Sequence, residues 1–310
     1  MNVNQLACAT GGGNTGVGTC FADPKNIVGA ILTPVGYTIT DAQIAAGLLT
    51  KLEQDIIADK SSRIYPVFGF VGITDNSEDA TTETYGYGGL DYVREGFNNW
   101  LLRFVKGGIC LNAQMRKFNN MSLGALFVDA TGLIWGEKVA TGVKAIDMEK
   151  VFTPNWKVNT GAATTIYNTR FVFDAVAMND SPGFITTSDL GFNVKSLMGL
   201  QNVAIVKVTR AAGVLTVRAL AGCASTNLYD DYSTELANAA LWVARNAATG
   251  NQIAITSVTA DPNTSGFIVT LNTTDTDYTT GAVALSLASP TVLDTAGVSG
   301  YESVPALITI

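Results

Sequence analysis

The chain has 310 residues, enough for two domains with ample core, because a chain of this size buries roughly three quarters of its unfolded surface. Charged residues are only 15% of it and it carries a formal −7, against about 25% charged residues in an ordinary soluble chain. It has no histidine, which excludes Ser-His-Asp and Cys-His catalysis, imidazole metal sites and histidine pH switches.

Mean hydropathy is positive, yet no apolar run approaches the roughly 18 residues of a membrane span, so apolar surface must be covered by protein. Subunit interfaces share this poverty in Lys and Glu. The negative charge is concentrated late: residues 211–310 hold Arg218 and Arg245 against eight acids. Such a surface repels nucleic acid, and no sequence-specific reading of DNA or RNA is expected.

Residues 1–25 read as a Gly/Asn-rich N-terminal arm. Gly11, Gly13 and Gly16 match a dinucleotide-binding spacing, but no strand precedes them and no helix begins on them. No signal peptide is expected, since neither a basic nor an apolar leader region is present. Cys8 and Cys20 bracket the glycines and are placed to close a small disulfide loop, or to stay free as small hydrophobes with Cys110 and Cys223. None of the four sits in a C-x-x-C pair, and neither a metal site nor a cofactor is expected.

A strand over Ile27 to Leu32 precedes the clearest helix. Thr40 and Gln43 form a capping box, and Ile44, Leu48, Leu52 and Ile56 repeat every fourth residue, with Ala45 and Leu49 widening the stripe. The pattern from Arg63 to Val176 is mostly β. Strands are expected at Ile64 to Ile73, interrupted by Gly69 and Gly72, at Asn99 to Val105 before a Gly107-Gly108 turn, and at Gly124 to Val128, Leu133 to Trp135 and Thr165 to Phe173. Residues 129–132 make a hairpin turn, and Phe171 and Phe173 share a face.

Residues 179–200 read as a connection. Beyond it, short strands at Val203 to Val208, Val214 to Leu220, Gln252 to Val258, Gly266 to Leu271, Ala282 to Leu287 and Val304 to Ile310 read as an immunoglobulin-like β-sandwich over 201–310. Residues 236–247 fit either a short helix or a strand with Trp242 in the core.

The most informative segment is 73–96. It sets Asp75, Glu78, Asp79 and Glu83 in a Thr-rich extended stretch, followed by Tyr85, Tyr92, Arg94 and Glu95. Paired carboxylates suit a glycan hydrolase, and carboxylate oxygens suit Ca²⁺; a solvated acidic hairpin suits the same residues without either chemistry. Arg94 and Glu95 fit an ion pair between subunits or a solvated turn.

A strand ending in Ile73-Thr74-Asp75, this acidic loop, the Val93-Arg94-Glu95-Gly96 turn, the Trp100 strand and the later hairpin through Leu133-Ile134-Trp135-Gly136 together resemble the tail tube (major tail) proteins of long-tailed bacteriophages. The resemblance covers about residues 60–176. It implies a mainly β fold: a tail-tube-like β-sandwich or partial barrel over 26–178 with one flanking helix, then an immunoglobulin-like outer domain. It further implies a non-enzymatic virion protein that forms stacked, hexameric rings for DNA passage, assembled in the host cytoplasm, with itself and other virion proteins as partners. The segment 74–96 would then be an assembly loop between subunits or rings. A capsid decoration or fibre protein is the alternative, and a carboxylate hydrolase the third reading.

Overall fold

The computed structural model describes residues 26–94, 96–104, 108–156, 165, 167–173, 182–211 and 213–309. Cys8, Cys20 and Glu95, and with them the expected N-terminal arm, lie outside these residues. The fold is mainly β and divides into two compact units, 1–198 and 199–310.

The first unit runs β1 (Ile27–Thr33), β2 (Thr38–Thr40), α1 (Asp41–Ile57), β3 (Tyr65–Phe68), β4 (Phe70–Asp75), β5 (Thr81–Thr84), β6 (Leu90–Arg94), β7 (Asn99–Phe104), α2 (Gly108–Met115), β8 (Leu123–Asp129), β9 (Ile134–Val139), β10 (Gly142–Lys144), β11 (Ile146–Phe152), β12 (Tyr167–Phe173), β13 (Pro182–Ile185) and α3 (Thr187–Leu190).

Antiparallel pairing passes from β3 through β1, β8, β11, β12 and β7 to β4. β3 and β4 are separated only by Gly69, which turns the corner at φ 98° and donates its N–H to the Val28 carbonyl at 3.0 Å. The sheet thereby curls back on itself, as closure of a barrel requires, and its inward side chains fill the interior. Leu102, Phe104, Phe127, Phe171 and Phe173 are fully buried there, and the Trp100 ring lies 5.0 Å from Phe173 and 5.2 Å from Phe127. The shared face expected of Phe171 and Phe173 is therefore the inner one.

β8 also pairs with β9 at its far end, and β9 carries β10 and β13 while β10 carries β2. Ile31, Leu126 and Val128 point away from the barrel interior and are just as buried, which places β1 and β8 between two apolar layers. α1 packs beside β2 and α3. Its Thr40/Gln43 capping box is formed, and Ile44, Leu48, Leu52 and Ile56 are its buried stripe; Ala45 is exposed, so the stripe is narrower than the sequence suggests. The helix kinks at Gly47. On its flank the Tyr37 hydroxyl donates to Asp55 at 2.6 Å, and Lys51 bonds the same carboxylate. Burial first, and then the Asp55 carboxylate, push the Tyr37 phenol well above its usual range.

Two expectations change. Gly107 of the expected turn lies outside the described residues and Gly108 has the turn-like φ of 56°, but the chain then enters α2, which was not expected and whose Met115 joins the barrel core together with the partly buried Leu111. The expected connection folds instead: β13 adds to β9 with Phe184 opposite Trp135, and α3 follows at once. Pairing with a strand some 50 positions earlier supplies the order that the local pattern lacks.

The second unit runs β14 (Gln201–Ala211), β15 (Val214–Ala221), β16 (Thr226–Asn227), α4 (Tyr229–Tyr232), β17 (Trp242–Asn246), β18 (Gln252–Ile253), β19 (Ile255–Asp261), β20 (Gly266–Leu271), β21 (Val283–Leu287), α5 (Pro290–Thr295), β22 (Tyr301–Ser303) and β23 (Ala306–Ile308). One sheet has the order β19-β20-β15-β14-β22, the other β18-β17-β21-β23, and both contribute to one core. The ambiguous 236–247 segment is a strand preceded by a 3-10 turn. Trp242 is buried and donates Nε1–H to the Leu236 carbonyl at 2.8 Å. Near the end of β14, Arg210 donates to the carbonyls of Thr279, Gly281 and Ile308.

Cys110 and Cys223 are both disulfide-bonded, which removes the free-hydrophobe reading for these two. Spacing in the sequence says nothing of bonds closed by long-range folding. Among the described residues, no helix is long and apolar enough to cross a membrane.

A candidate assembly surface

β4 and β7 do not stop at the barrel rim. Beyond Asp75 the Asn76 N–H donates to Asn99 at 2.8 Å and the Glu78 N–H to Phe97 at 3.0 Å, so the two chains continue as a ribbon. The crossing is tight at Gly96, where a Cβ would sit 1.8 Å from the Glu78 carbonyl oxygen; no other residue fits. The ribbon then becomes the β5–β6 hairpin, paired Thr82 with Tyr92, Glu83 with Asp91 and Thr84 with Leu90.

This arm has no core of its own. Every described residue from Glu78 to Arg94 is exposed except Gly89, including Tyr87 at 86%, Leu90 at 69% and Tyr92 at 61%. An isolated two-stranded hairpin is marginal in water, and large exposed apolar groups gathered on one element mark interaction surfaces. From Asn76 to Tyr85 the arm reaches about 30 Å at the usual strand rise.

Directly opposed residues share a face, which makes the hairpin two-sided. One side presents Thr82, Thr84, Leu90 and Tyr92. The other sets Glu83 against Asp91, two like charges that repel across the pair. At the tip the Tyr85 and Tyr87 rings stack at 5.6 Å and 8°, and the Tyr85 hydroxyl donates to Asp91 at 2.5 Å. That bond pushes the Tyr85 phenol upward. Arg94 sits over the Phe97 ring at 5.7 Å.

The structure thus strings Asp75, Glu78, Asp79, Glu83, Tyr85, Tyr92 and Arg94 along one exposed ribbon instead of gathering them in a cleft. Asp75 is occupied locally, accepting from the Ser77 N–H at 2.9 Å. Among the described residues no three acidic or cysteine side chains are grouped to hold a metal ion. An open depression lined by Thr131, Thr187, Asn193 and Lys195 among others carries no carboxylate.

Sequence reasoning missed a second feature, the outer side of β11, β12, β7 and β4. Here Phe152, Arg170, Leu101 and Arg103 face away from the barrel interior, and no described element covers them. Arg170 is paired with Leu101, two residues from Arg103 on the same face, so the two guanidinium groups are diagonal neighbours. Their strands are separated by more than 60 residues, and the register alone brings them together. No family model, no curated protein and no solved structure matches the chain.

Proposed function

We propose that this chain is a virion structural subunit that works by assembling with copies of itself, as the stacked hexameric rings of a phage tail tube do. The observation that carries the reading is the arm: about 30 Å of hairpin with Tyr87, Leu90 and Tyr92 in solvent. A solitary molecule has no use for such an element, whereas covering it between copies removes roughly 1.5–3 kcal/mol of exposed apolar surface per large side chain. A curled antiparallel sheet with a flanking helix and a protruding loop at 74–96 also agrees with the tail-tube resemblance. On this reading the second unit, two sheets around one core, serves as the immunoglobulin-like outer domain that the tail-tube resemblance implies.

Its other partners are further virion proteins, and the chain takes part in no catalysis. It is assembled in the host cytoplasm. The hydrolase reading asks for two carboxylates held across a substrate cleft about 5–9.5 Å apart; an exposed ribbon does not offer this. Negative-stain imaging of the purified chain tests the proposal. Rings or tubes are expected, discrete trimers favour a fibre protein, and persistent monomers at high concentration refute assembly altogether.

A further inference from the structure

Two like-charged pairs in the first unit are left without opposite partners among the described residues. Glu83 opposes Asp91 on the arm. Arg103 and Arg170 are diagonal neighbours on the outer face of β7 and β12, both exposed. On the same face the Lys150 ammonium already pairs with Glu149 at 3.0 Å, so the two arginines make the uncompensated charge there. Each pair is unfavourable alone, and each supplies what the other lacks.

We infer that the β11-β12-β7-β4 face carrying Arg103 and Arg170 receives the Glu83/Asp91 side of the arm from a second copy of this chain. The inference rests on the assembly reading above and names the surface on which that assembly is built. The arm does not cover its own face, because it continues the β4–β7 ladder beyond the barrel and its hairpin strands β5 and β6 remain exposed. Its reach of about 30 Å exceeds the roughly 23 Å spanned by the seven residues of β12, so it is long enough to lie along a neighbour's sheet. Guanidinium groups suit this role because they hold carboxylates through two parallel hydrogen bonds. Donor and acceptor surfaces differ, so the contact can run head-to-tail from copy to copy, as the rings proposed above require. Leu101 and Phe152 beside the arginines supply the apolar part of the acceptor for the exposed Val93, which lies two residues from Asp91 on the same side of the arm.

The test uses the full chain and two charge reversals, Arg103→Glu with Arg170→Glu on the face, and Glu83→Lys with Asp91→Lys on the arm. All four residues are exposed, and equal unfolding midpoints check that the fold is kept. Sedimentation velocity at low ionic strength should show the native chain assembling. Each reversed variant should need at least about a tenfold higher concentration to do so. An equimolar mixture of the two should assemble again, since each then meets its complement. A face variant that assembles like the native chain, or a mixture that stays monomeric, overturns the inference while leaving self-assembly standing. A native chain that remains monomeric throughout overturns both.

Discussion

β4 and β7 pass through two environments within one pair of strands. Inside the barrel their inward residues, Phe70, Leu102 and Phe104, are packed against Phe171 and Tyr167 of β12 and its surroundings. Beyond Asp75 and Asn99 the same backbone ladder continues, and from Glu78 to Arg94 every described residue but Gly89 is exposed. Hydrogen bonds are present in both regions, so they do not distinguish them; burial does. The barrel is held by its core, whereas the arm keeps apolar side chains in water that only a partner can remove.

The sharpest way to break this contrast is to remove one side chain from each region. Phe127→Ala, at the centre of the barrel aromatics, should cost about 3–5 kcal/mol in chemical denaturation. Leu90→Ala on the arm should move the monomer's stability by no more than about 0.5 kcal/mol, yet weaken assembly measured by light scattering. If Leu90→Ala destabilises the isolated subunit as Phe127→Ala does, the arm is packed in solution and the contrast fails.

Reduction should spare the arm, because the bonded Cys110 lies in α2, the bonded Cys223 in the second unit, and the arm has no cysteine. Losing a native bridge costs about 2–4 kcal/mol, so thiol treatment should lower the thermal midpoint while hydrogen exchange in 78–94 stays as fast as before. Slower exchange in the arm than in the reduced barrel would contradict the assignment.

A smaller effect tests the flanking helix. Tyr37→Phe removes the hydroxyl bonded to Asp55 and should cost about 1 kcal/mol. The native phenol titrates above the unfolded value of about 10. Its stabilisation is therefore complete below pH 10 and is lost at higher pH, as the unfolded chain sheds the proton that the folded chain retains. The native chain should weaken between pH 10 and 12 more than Tyr37→Phe does, and parallel pH profiles would refute the bond.

What could be read from the sequence was local. The capping box of Thr40 and Gln43, the Ile44 to Ile56 stripe and the 129–132 turn each depend on residues within a few positions, and Asp129 does accept from Thr131 and Leu133 as that turn needs. The acidic segment showed itself as extended and solvated. Its two-sided character did not, since it depends on the register that sets Glu83 against Asp91 and on a bulge near Thr81. β13 and α2 escaped notice because distant partners order them. The Arg103/Arg170 pair was hidden for the same reason, with strands far apart in sequence meeting only across the sheet.

The most direct measurement compares the intact chain with a variant in which residues 81–94 are replaced by a two-residue Asn-Gly turn, both followed by sedimentation and negative-stain imaging over a range of concentrations. Self-assembly through the arm predicts rings or longer particles for the intact chain and stable, folded monomers for the shortened one. Equal particle formation by both chains, or none by either, would contradict it.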